Sequence, residues 1–146
     1  MLGDAGPTRY LPAVISPRSG DADGPAPLDE LIRLTTTPIG SAVVVTVAGE
    51  VDLRTAPRVA AALQDALASA ELRLLVVDLS EVTFLGSSGI AVLVDVGTGA
   101  HSGDRARPLV RMVAPPGQHV VTRPWAAMNL TTVLPLHPDV GAALDA

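Results

Sequence analysis

The stretch Asp78-Leu79-Ser80-Glu81-Val82-Thr83-Phe84-Leu85-Gly86-Ser87-Ser88-Gly89-Ile90 decides how this chain is read. An apolar run from Leu72 to Leu79 leads into it. That run is continuous rather than alternating, which predicts a central strand covered on both faces. After the serines, Ile90, Leu93, Val94 and Gly97 recur at helical spacing, and the Gly99–Gly103 region ends the pattern. The stretch is therefore a strand, a small hydroxyl-bearing turn and the start of a helix. Unpaired backbone N–H groups and the positive end of the helix dipole favour negative charge at such a turn, so a phosphate on a serine there is electrostatically tolerated.

Working outward, Ala42–Ala48 is small and β-branched and predicts a strand ending at Gly49-Glu50-Val51-Asp52. A strand around Leu31–Thr36 pairs with it through the turn Pro38-Ile39-Gly40-Ser41. Thr55 is placed as a helix N-cap with Pro57 in the first turn; Ala56, Val59, Ala60, Leu63 and Leu67 form an apolar stripe to about Ser69. Further strands are expected at Leu109–Val113 and Thr131–Leu136. Helices are expected at Gln118–Asn129, bent near Pro124, and at Asp139–Ala146. The order predicts an α/β fold: one domain with a small mixed β-sheet of four to five strands and helices packed against it.

Composition narrows the function. With 146 residues and 48% apolar content the chain has material for one real core. The aromatic residues are Phe84, Tyr10 and Trp125, the net charge is −5 and all ten basic residues are arginine; direct nucleic-acid binding is not expected of such a chain. Cysteine is absent, so thiol catalysis and disulfides are excluded. Residues 1–27 are rich in Pro and Gly, lack the pattern of a secretory signal and read as a flexible leader to a domain over 28–146. Asp78 and Asp95 interrupt the apolar runs short of the roughly 20 residues a membrane span needs, and a cytoplasmic protein without membrane insertion is expected.

Enzymatic readings fail on spacing. Gly86-Ser87-Ser88-Gly89 lacks the Gly-x-Ser-x-Gly of a nucleophile elbow. His101, His119 and His137 have no short paired spacing for a metal, and a chain without lysine carries no P-loop. No catalytic residue, metal or cofactor is assigned.

Taken together, Gly49-Glu50-Val51-Asp52-Leu53 with Thr55-Ala56-Pro57, followed by the stretch quoted first, closely resembles the STAS domain of bacterial anti-sigma factor antagonists. The resemblance runs from about Leu28 to the end. It implies a protein-binding module that docks on a serine-kinase-type anti-sigma factor, frees a sigma factor, is released when the kinase phosphorylates Ser87, and is restored by a serine phosphatase. Ser88 is the alternative acceptor. The implied docking surface comprises Glu50, Asp52, Leu53, Gly86, Ser87, Ser88, Gly89 and an exposed Ile90. Gly86 departs from the acidic residue usual in that family. STAS domains also serve as subunits of lipid-transport ATPase complexes without a phosphate cycle, which is the alternative function. From the residues alone, Ser87 reads first as a helix N-cap and Asp78 as a loop organiser that ends the central strand, while Glu50 and Asp52 read equally as a solvated strand end and Gly86 as relief for a turn with positive φ.

Overall fold

The computed structural model describes residues 27–99 and 107–146. Residues 1–26 of the expected leader, and His101, lie outside the described residues. The chain divides into two units, Met1–Glu30 and Leu31–Ala146. A single-turn helix, α1, covers Leu28–Leu31. All that follows concerns the second unit.

Strand β1 (Ile32–Ile39) and strand β2 (Ala42–Val51) form an antiparallel hairpin, with Ile39 opposite Ala42. A two-residue connection of this kind needs positive φ at its first position in both of its favoured forms, and Gly40 supplies it at φ 61°. Helix α2 (Ala56–Leu67) then leads to β3 (Leu74–Leu85), helix α3 (Ser87–Thr98) to β4 (Leu109–Val113), and helix α4 (His119–Ala127) to β5 (Leu136–His137); α5 (Val140–Asp145) closes the chain. The five strands lie in the order β1-β2-β3-β4-β5, and every pair after the hairpin is parallel. This is the mixed α/β sheet the element order predicts.

Both sheet faces are covered, as the continuous apolar character of β3 requires. Val45 and Val47 of β2, Leu75 and Val77 of β3 and Met112 of β4 belong to one core with Val59 and Leu63 of α2, Leu93 and Val96 of α3, and Val121 and Trp125 of α4. The alternate residues Val44, Val76 and Val113 pack with Ala143 of α5. Period-two alternation within each strand thus separates two cores. Gly99, at φ 67°, ends α3 in the left-handed conformation that a residue with a Cβ adopts at a cost.

Three expectations are corrected. The central strand does not end at Asp78 but runs on to Leu85, because bulges let it continue. Two register shifts against β2 lie between Thr46 and Ala48 and between Gly49 and Glu50, each adding one residue to β3. Asp78 Oδ1 accepts the Ser80 N–H at 3.0 Å across the first of them. Residues Thr131–Leu134 are not strand. The Leu134 N–H bonds the Leu130 carbonyl at 2.7 Å and the Leu134 carbonyl accepts the buried Trp125 indole N–H at 2.7 Å, so tertiary anchoring overrides the β-branched sequence and β5 shrinks to Leu136–His137. Strand β1 begins and ends later than expected, reaching Ile39.

Candidate functional site at the ends of β2 and β3

Parallel pairing brings the carboxyl ends of β2 and β3 to the same edge of the sheet, with Val51 opposite Leu85 and Glu50 opposite Phe84. Two stretches some thirty residues apart in sequence therefore leave the sheet side by side. The Gly86 N–H donates to the Val51 carbonyl at 2.9 Å, and the Ile90 N–H donates to the Gly86 carbonyl at 3.1 Å, which closes the first turn of α3. Carboxyl ends of strands are where α/β sheets place their recognition loops.

The β2 side of the site is a self-contained knot. Thr55, fully buried, donates its hydroxyl to the Glu50 carbonyl at 2.7 Å and accepts the Asp52 N–H at 2.9 Å. Asp52 Oδ1 in turn accepts the N–H groups of Arg54 at 2.9 Å and Thr55 at 3.1 Å. Thr55 is the residue that precedes α2, as expected, but its hydroxyl bonds backwards to the strand end rather than forwards into the helix. Burial alone would push the Asp52 carboxyl up. The backbone hydrogen bonds from Thr55 and Arg54, with the nearby Arg54 guanidinium, outweigh it and hold the group below the usual carboxylate range. Asp52 is thus largely committed to shaping its own loop.

On the β3 side, Gly86 precedes α3 at φ −93° and ψ 177°, and Ser87 is the first residue of the helix. Two expectations change here. Ser87 does not cap the helix from the preceding position, and Gly86 needs no positive φ, since this extended conformation is open to any residue. Ser87 is exposed and Ser88 half-buried. Gly89 is buried, because a Cβ there would meet Val51 Cγ1 and approach Leu85 Cδ1 to 2.9 Å, so only glycine lets α3 seat this closely on the strand ends. Ile90 is 4% exposed and belongs to the core; it anchors the turn from beneath and offers no docking surface, contrary to expectation. Leu53 is 78% exposed and Phe84 51%, so apolar surface faces solvent at both strand ends. Phe84 was not singled out from the sequence, where an aromatic beside a strand's buried residues reads as core. Glu50 is half-buried with its side chain opposite Phe84 in register.

Residues 35–135 match the profile of the family described as Mlab, STAS domain. The chain belongs to the STAS domain family. Its fold is similar to the crystal structure of an anti-sigma factor antagonist from Mycobacterium paratuberculosis, with 30% identity over 82% of this chain and 95% of that one and a TM-score of 0.69. A putative anti-sigma factor antagonist from Thermotoga maritima shares the fold at 16% identity, covering 77% of this STAS domain chain and 92% of its own, TM-score 0.62. The anti-sigma factor antagonist SpoIIAA in its unphosphorylated form does so at 15% identity over 77% and 94%, TM-score 0.59. No curated protein sequence matches this STAS domain. Among the described residues, no helix is long and apolar enough to cross a membrane. A cleft of about 520 Å³ lined by Glu71, Leu72, Arg73 and Leu109 lies at the opposite end of the strands, where β3 and β4 begin, and takes no part in the serine turn.

Proposed function

We propose that this STAS domain is an anti-sigma factor antagonist whose attachment to a serine-kinase-type anti-sigma factor is ended by phosphorylation of Ser87. The observation that carries the reading is the exposed Ser87 at the first residue of α3, beside the end of β2 and near exposed Leu53 and Phe84. A phosphate adds about −1.5 to −2 charges and three acceptor oxygens. At the start of α3 the domain itself tolerates that charge, because the first N–H groups of the helix point towards it. A partner packed on the turn does not. A penalty of roughly 3 kcal/mol weakens attachment about a hundredfold, enough to release a bound module without refolding it. A serine phosphatase would return the protein to the binding form, in the cytoplasm, with the domain catalysing nothing itself.

The test combines phosphate mapping with binding. Incubation with kinase-type anti-sigma factors and ATP should place phosphate on Ser87 and leave Ser87→Ala unmodified, Ser88 being the other acceptor to map. Ser87→Glu should bind at least tenfold more weakly than the unaltered protein. Equal affinity of Ser87→Glu and the unaltered protein overturns the charge switch.

The neutral Gly86 favours one second reading, a constitutive subunit of a lipid-transport ATPase complex in which the serine turn is a permanent contact. Co-purification with a transport ATPase in the absence of any phosphate on Ser87 selects that reading.

A further inference from the structure

Gly86 and Phe84 together carry an inference about partner choice. Backbone geometry does not call for glycine at position 86, because φ −93° and ψ 177° suit any residue. What occupies the space is an aromatic ring. A Cβ on Gly86 would stand 3.3 Å from Phe84 Cε2 and 3.7 Å from Phe84 Cζ, so the ring lies against the glycine and any side chain there displaces it by a few tenths of an ångström or more. The ring is nonetheless 51% exposed. An aromatic side chain held in place on one face and open on the other is the kind of group that anchors protein interfaces.

The charge pattern points the same way. Gly86, Ser87 and Ser88 bring no charge to the turn, and the Asp52 carboxylate beside it is bonded to its own loop and faces Arg54 at 3.8 Å. A partner seated on this turn meets the Phe84 ring and the Gly86 backbone, with Leu53 at the neighbouring strand end and the half-buried Glu50 paired with Phe84 in register. It meets no carboxylate at position 86.

We infer that Gly86 and Phe84 set partner specificity: the anti-sigma factor that this domain binds presents an uncharged apolar recess to the Phe84 ring, where a basic contact would suit an acidic residue at 86. The inference rests on the docking role proposed above. It also bears on the switch, since Ser87 phosphate would bring charge to a turn whose own residues, Gly86, Ser87 and Ser88, carry none.

The test uses the full chain and each serine-kinase-type anti-sigma factor of the source organism, purified and immobilised, with Phe84→Ala, Gly86→Asp and Ser87→Glu compared against the unaltered protein. Phe84→Ala and Gly86→Asp should each weaken binding roughly tenfold or more. Melting temperature separates this from misfolding. Phe84 is half exposed, so its truncation should lower the melting temperature little, and Gly86→Asp should leave it level or raise it, because aspartate caps a helix better than glycine. Phe84→Leu, which keeps an apolar group, serves as a second variant and should lose less affinity than Phe84→Ala. Full affinity in either Phe84→Ala or Gly86→Asp, with Ser87→Glu still weakened, overturns the specificity inference and leaves the switch standing. Binding of the unaltered protein to none of the anti-sigma factors, or full affinity of Ser87→Glu, overturns the docking reading beneath it.

Discussion

Substituting Gly89 by alanine tests the seating of α3 on which every statement about Ser87 depends. A single methyl group at 89 meets Val51, which is 1% exposed, and lies 2.9 Å from a methyl of Leu85, which is 7% exposed. Relaxed carbon contacts are about 3.5–4.0 Å, so the helix must retreat by roughly 0.6–1 Å or the strand side chains must leave their rotamers. Inserting a methyl group into a packed site costs about 1–3 kcal/mol. Alanine in place of glycine returns at most about 1 kcal/mol of helix propensity, and less in a first turn. The net loss is about 1–2 kcal/mol, a fall of roughly 4–8 °C in melting temperature for a domain of this size. Urea unfolding should show a lower midpoint with an unchanged slope. Gly117→Ala is the control, since nothing lies within 4 Å of its Cβ position. The loss should also be coupled to Val51: Val51→Ala should cost less in the Gly89→Ala background than alone, as expected for side chains that share one space. A Gly89→Ala protein as stable as the unaltered one would mean that α3 does not sit tightly on the ends of β2 and β3, and the placement of Ser87 beside the Asp52–Thr55 loop would fall with it.

Three further outcomes follow from the same geometry. Thr55→Val keeps the shape but strands the Glu50 carbonyl and the Asp52 N–H, and should cost about 2–4 kcal/mol in chemical denaturation. Trp125→Phe removes the buried indole N–H bonded to the Leu134 carbonyl and leaves a void; a loss of about 2–4 kcal/mol is expected by the same measurement, with the Met128–Leu134 turn showing faster amide exchange. For Asp52, whose folded pKa lies below its ordinary value, the unfolded chain binds the proton first. The stabilisation is therefore present above the ordinary carboxylate range and lost as pH falls through and below it, so between about pH 5 and pH 2 the unaltered protein should lose more stability than Asp52→Asn.

Much of the fold was legible because apolar period and breakers agreed. The stripe Val59, Leu63 and the cap region before Pro57 located α2, and Gly99 located the end of α3 through its left-handed backbone. The far half of β3 was not legible, and the bulges explain why. Leu79, Val82 and Leu85 are buried three residues apart, because each inserted residue shifts the alternation by one. A spacing of three is nearer to a helical or turn signal than to a strand. The Thr-Thr-Val of residues 131–133 misled in the opposite direction, since strand propensity there yields to the hydrogen bonds that anchor Leu134. At the site, the two motif halves were legible as halves. That Ile90 points inward could be read from its place in the Ile90, Leu93, Val94 stripe, but a helix start seated on two strand ends hides its first apolar residue more completely than periodicity indicates.

The bulges also have a functional consequence. Were β3 paired with β2 without those two shifts, Leu85 would lie opposite Leu53 instead of Val51, and the serine turn would overshoot the Val51–Asp52 corner by two positions. With them, the two loops divide the task. The Asp52–Thr55 loop satisfies its own polar groups and is fixed, so it supplies a rigid edge; the Gly86–Ser88 turn has no side-chain cap, and its Ser87 is exposed. Added charge at Ser87 then disturbs no bond that holds the domain together. Under the proposed docking role its cost would fall on whatever is packed against the turn, and that division would let a modification change binding while stability stays nearly constant.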